Sequence, residues 1–176
     1  MPELVIGLVL GFVSKLLYDE LKSPRVELVS VSREAFHIGP ITQVPGGFDN
    51  DYNAYRLKVE NHQKGFLDCA AENCVAWLLL DSAPEAYQLC WVGGASELTL
   101  NVGDMREVDT CARGIQTGVV VAPTEIGYSK SSLRKIGDGS RDLHGTIRIT
   151  CKNGKKAEKR IAIRPVANCQ LDISLA

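Results

Sequence analysis

The sequence is short of the marks by which catalysis can be read directly. It has no Gly-x-Ser-x-Gly nucleophile turn, no phosphate-binding loop and no dinucleotide fingerprint, which excludes the enzyme classes those motifs announce. It also lacks a dominant charge. Twenty Lys and Arg against 21 Asp and Glu leave a net charge of −1, so no electrostatic footprint for nucleic acid exists. The one basic cluster, Lys152, Lys155, Lys156, Lys159 and Arg160, is interrupted by Asn153, Gly154, Ala157 and Glu158, and reads as a solvated hairpin. Low-complexity segments and internal repeats are absent, excluding solenoids and compositionally disordered tails. No cofactor is expected.

The six cysteines (Cys69, Cys74, Cys90, Cys111, Cys151, Cys169) lack paired C-x-x-C spacing, so neither a zinc framework nor a haem site is indicated. In a reducing compartment they are small hydrophobes on strands; in an oxidising one some pair as staples. Six cysteines allow fifteen connectivities, and spacing does not choose among them.

One feature stands apart. From Leu4 to Phe12 the chain is apolar without a charge, then meets Lys15 and a polar Asp-Glu-Leu-Lys-Ser-Pro-Arg flank. This predicts an N-terminal segment over residues 1–24 carrying a helix from about Pro2 to Leu21, ended by Pro24, before a single β-domain over 25–176. Only Pro2 and Glu3 precede the run within the sequence and Lys-Leu-Leu-Tyr-Asp follows it, which does not fit a cleaved signal peptide. Two readings stay open: a short membrane span with Lys15 reaching toward the headgroups, and a helix buried in a protein assembly. Gly7 and Gly11, four residues apart, are the candidate helix-packing positions, since small residues at this spacing let two backbones approach. Lys15, Lys22, Arg25 and Arg33 all lie in or after the run, so a spanning helix would leave the body on the cytoplasmic side.

The remainder reads as strands. Tyr55, Leu57 and Val59 alternate with Arg56, Lys58 and Glu60; Asn73 to Leu80 is more continuously apolar, as a central strand is; further alternation covers Tyr87–Val92 and Leu98–Val102, and Val119–Val121 is a short buried run. Gly93-Gly94, Gly103-Asp104, Gly137-Asp138-Gly139 and Asn153-Gly154 supply turns. Nine or ten short strands without a helix between them predict a mainly β fold, an antiparallel β-sandwich. In the last hairpin Ile147, Ile149, Ile161 and Ile163 share one face only if paired residue numbers sum to an even value, which favours a three-residue loop with Gly154 left-handed. The segment from Cys169 through Leu175 is expected to close a sheet.

Two stretches, Tyr55-Arg-Leu-Lys-Val-Glu-Asn-His-Gln-Lys-Gly and Ala70-Ala-Glu-Asn-Cys-Val-Ala-Trp-Leu, followed by Leu100-Asn-Val-Gly-Asp-Met-Arg-Glu-Val, resemble prokaryotic Ig-like and CARDB-like adhesion modules. The resemblance covers Tyr55 to Val108; Gln63-Lys64 lengthens the first turn and Phe66 to Cys69 is inserted. It implies an Ig-like sandwich acting as a non-catalytic binding or spacer unit, and no functional residue carries over.

Oxygen-bearing side chains at Asp49, Asp51, Asn53 and Glu60 fall at positions 1, 3, 5 and 12 of an EF-hand-like calcium loop, although Ala54 stands where that loop needs glycine. Asp138, Ser140 and Asp142 form a second oxygen-rich loop that a turn explains. His37, His62 and His144 occur singly, and a catalytic site would need them to converge with a nucleophile in space. Trp77 and Trp91 read as core. The expectation is therefore a non-enzymatic, anchored interaction module. It would be a structural or accessory subunit of a membrane or cell-surface assembly, with protein partners or further copies of itself. The alternatives are a filament or coat subunit whose helix packs in the assembly core, and a hydrolase whose site is not legible in sequence.

Overall fold

The computed structural model describes residues 2–37, 51–62, 69–124 and 133–176. One helix, α1 (Pro2–Leu21), precedes eleven strands: β1 (Val26–His37), β2 (Asp51–Asn61), β3 (Ala71–Leu80), β4 (Ala86–Trp91), β5 (Leu98–Leu100), β6 (Met105–Gly114), β7 (Val120–Pro123), β8 (Leu133–Gly137), β9 (Leu143–Thr150), β10 (Ala157–Val166) and β11 (Gln170–Leu175). The helix bounds and the mainly β antiparallel body agree with the sequence reading. Pro24 is buried beyond the helix, where a Cβ on Gly154 would lie 2.6 Å from its ring; Gly154 is needed for that close approach.

The strands run in the order β1-β2-β6-β4-β3-β9-β10-β11, with β7 and β8 extending from β6 and β5 added to β3. Two separate sheets were expected, but hydrogen bonding is continuous and the sheet is nearly closed and barrel-like. The cause is β4. Its first part pairs with β3 (Leu78↔Tyr87, Ala76↔Leu89), and its last two residues pair with β6 (Cys90↔Asp109, Trp91↔Val108). One strand thus turns the corner between what would otherwise be two layers.

Alternation places Tyr55, Leu57 and Val59 of β2, Cys74, Ala76 and Leu78 of β3, Ile147 and Ile149 of β9, and Ile161 and Ile163 of β10 in one core around Trp91. The β9–β10 register is Ala157↔Ile149, Lys159↔Ile147 and Ile161↔Gly145, an even sum as the isoleucine pattern requires. The loop is longer than expected, however. It occupies residues 151–156, and Gly154 is not among the left-handed glycines. With several loop residues free to set the register, no left-handed glycine is required.

Trp77 is a second correction. It lies half-exposed on the outer face of β3, opposite Arg148 of β9 and Gln88 of β4, while Trp91 is fully buried and donates Nε1–H to the Cys74 carbonyl at 3.0 Å. Both faces of β3 carry large apolar residues, so composition alone assigned Trp77 inward.

Candidate functional site

Three places merit weighing: helix α1, the outer face around Trp77, and the end of the barrel nearest α1. Of these α1 is the most unusual chemically. Val5, Ile6, Leu8, Val9, Leu10, Phe12, Val13, Leu16 and Leu17 are between 44 and 69% exposed and occupy every face of the helix. A helix that is apolar all round belongs inside something, whether a protein core or lipid. Gly7 and Gly11 lie on one face in open space, with nothing within 4 Å of the position a side chain would take. Ser14 folds its hydroxyl onto the Leu10 carbonyl at 2.7 Å, and Lys22 Nζ sits 5.4 Å from the Tyr18 ring centroid.

Among the described residues, no helix is long and apolar enough to cross a membrane. The spanning expectation therefore has no direct support. Leu4 to Tyr18 gives about 22 Å of helix with Lys15 inside it, against a hydrocarbon core of about 30 Å.

Asp49 lies outside the described residues. Asp51, Asn53 and Glu60 are all on β2, and nine residues of strand put Asp51 about 30 Å from Glu60, too far to share an ion. Asn53 Nδ2 instead donates to the Cys169 carbonyl at 3.0 Å, and Glu60 meets His62 Nδ1 at 3.2 Å. The helical loop that wraps calcium is replaced by an extended strand. Asp138 accepts from both the backbone N–H and the hydroxyl of Ser140, which hold its carboxyl below the ordinary value, so the turn explanation stands. His62 bridges Glu27 at 2.9 Å and Glu60, joining β1 to β2, and the side chain of His144 is exposed. The side chain of His37 is outside the described residues. Neither described histidine has a nucleophile and an orienting carboxylate arranged around it. Among the described residues no three His, Cys, Asp or Glu side chains are grouped to hold a metal.

Outside Trp77, a shallow cleft of about 250 Å³ is lined by Trp77, Leu79, Ala86, Arg148 and Thr150. At the α1 end, a larger open cleft of about 410 Å³ is lined by Lys22, Ser23, Cys69, Ala70, Glu72 and Asn153. Asn153 forms its wall, accepting from Glu72 N–H at 2.8 Å and donating to the Ala70 carbonyl at 2.9 Å. Beneath it Cys74 Sγ and Cys151 Sγ stand 3.0 Å apart. The sequence reading missed this pair, since 77 residues separate the two and only the β3–β9 register brings them together. It also missed Arg113, whose guanidinium donates to the carbonyls of Gly118, Gly139, Val166 and Gln170.

No family model matches the sequence, and comparison with curated proteins and with solved structures gives no match either.

Proposed function

We propose that this protein is a non-enzymatic β-module held at a membrane by α1, where it serves as a structural or accessory subunit. One observation carries the reading: a buried core within the described body, and a helix whose apolar side chains are exposed on all faces. Each of those side chains gains roughly 1.5–3 kcal/mol on leaving water, so about ten of them outweigh the cost of attachment. Lipid covers every face of such a helix at once. A water-soluble bundle would leave an apolar outer face uncovered. Because α1 is short for the bilayer, the reading includes association of copies through the Gly7 and Gly11 face, which offsets mismatch.

The resemblance of Tyr55 to Val108 to Ig-like and CARDB-like modules supports a binding or spacer role in the same reading, although the continuous sheet departs from two separate layers. A second reading follows from the shortness of α1: a filament subunit whose helix packs in the fibre core. Detergent separates the two. The membrane subunit is released by detergent as a small oligomer, whereas the fibre subunit sediments in detergent as an ordered polymer. Recovery in the soluble fraction of lysed cells without detergent, as a dispersed monomer, would refute both.

A further inference from the structure

The barrel end beside α1 holds two sulfurs in an arrangement that calls for chemistry. Cys74 sits in the middle of the pairing between β3 and its neighbours, fully buried, with its carbonyl fixed by Trp91 Nε1–H. Cys151 follows directly after β9. Since Val75 pairs with Thr150, the next step along each strand sets Cys74 opposite Cys151, and their sulfurs lie 3.0 Å apart. Both backbones are held. Lys152 N–H donates to the Glu72 carbonyl at 2.8 Å, and Asn153 fastens the β9–β10 loop to residues 70–72.

We propose that Cys74 and Cys151 form a reversible disulfide site that ties β3 to the β9–β10 loop beside the α1 junction, closed by small-molecule or protein disulfides. A disulfide bond of about 2.05 Å requires the sulfurs to move together by only about 1 Å, which side-chain rotation supplies. Cys151 is the partly exposed member and Cys74 the buried one, which fixes the order of events. Cys151 Sγ attacks one sulfur of the incoming disulfide, forming a mixed disulfide and releasing the first thiolate, which takes up a proton. Cys74 Sγ then attacks Cys151 Sγ, and the second thiol leaves with the second proton. Two protein thiols are oxidised to one disulfide, and one small disulfide is reduced to two thiols. Access rather than acidity sets this order: the contact with Cys74 and burial raise the Cys151 thiol, whose proton leaves as it attacks, while the contact with Cys151 holds Cys74 below the ordinary thiol value, ready to resolve the mixed disulfide. Cys111 is different, fully buried and pushed well up by burial alone, and stays a thiol.

The test uses the full chain in detergent, incubated with oxidised glutathione or with dithiothreitol, then alkylated and digested without reduction. A peptide pair joined through Cys74 and Cys151, lighter by two hydrogens than the sum of its parts, is expected only after oxidised glutathione. Closing a loop of 77 residues is expected to raise the melting midpoint on the order of 10 °C relative to the dithiothreitol sample. Cys151→Ser should abolish both effects. The proposal is overturned if the folded wild-type chain keeps both cysteines alkylatable after oxidation, or if a glutathione adduct on Cys151 persists without the link. Both readouts come from the wild-type chain, so they hold even if the variant fails to fold.

Discussion

The phenolic oxygen of Tyr55, on β2, accepts the backbone N–H of Leu171, on β11, at 2.6 Å. β2 stands near one end of the strand order and β11 is the other end, so a side chain fills the place of the ladder that β11 lacks on its free edge. Tyr55→Phe keeps the ring and leaves that buried N–H without its partner. A loss of about 1–3 kcal/mol in urea unfolding is expected.

The same residue gives a pH dependence. Burial raises the Tyr55 phenol above its ordinary value of 10.0, with the hydrogen bond from Leu171 and the charge of Arg33 opposing more weakly. The fold therefore favours the neutral phenol. Its stabilising contribution is complete below the ordinary tyrosine value and declines as pH rises through the folded one. Stability measured from pH 9 upward should fall less steeply in Tyr55→Phe than in the wild type.

Arg113 joins three inter-strand connections through carbonyl groups. Its contacts to Gly118 and Gly139 hold the β6–β7 turn and the β8–β9 connection, and those to Val166 and Gln170, at 2.8 and 2.7 Å, hold the β10–β11 turn. Arg113→Met should cost about 3 kcal/mol, since several charge-assisted bonds to partly buried oxygens are lost together. Gly139→Ala should weaken the same junction, because its Cβ would lie 2.0 Å from the Gly118 carbonyl oxygen in a left-handed conformation. Thermal melts of the two variants and of their combination check this, and a combined loss smaller than the sum is expected for neighbours.

The two tryptophans should behave oppositely. Trp91→Phe opens space in the core and strands the Cys74 carbonyl, an expected cost of about 2–4 kcal/mol. Trp77→Ala, on the outer face, should cost less than half as much. Equal losses in chemical unfolding would contradict the assignment of faces.

Most of the fold was legible where a pattern repeats. The alternation through Tyr55, Leu57 and Val59, and the odd-numbered isoleucines 147, 149, 161 and 163, gave strands, faces and the parity of a register. Period-two alternation is the same in a sandwich and in a barrel, so it carried no information on the corner at β4, which depends on where Cys90 and Trp91 leave β3 for β6. The cleft at the α1 end depends on residues 70–74 meeting 151–153, a contact set by register. The EF-hand-like spacing failed for the converse reason, since spacing specifies a site only when the local conformation is that of the motif. The resemblance to adhesion modules rests on strand and turn patterns and stays part of the functional proposal.

The central claim is that α1 seeks lipid, and vesicle flotation tests it most directly. The full chain, diluted from detergent onto phosphatidylcholine vesicles, is compared with a Val9→Asp, Phe12→Asp double variant, whose changes lie on α1 and leave the core of the body untouched. The account predicts that the wild type floats with the vesicles and resists carbonate extraction, and that the variant stays at the bottom of the gradient as a folded, strand-rich protein. A wild-type chain that remains at the bottom, or a variant that floats equally well, would contradict it.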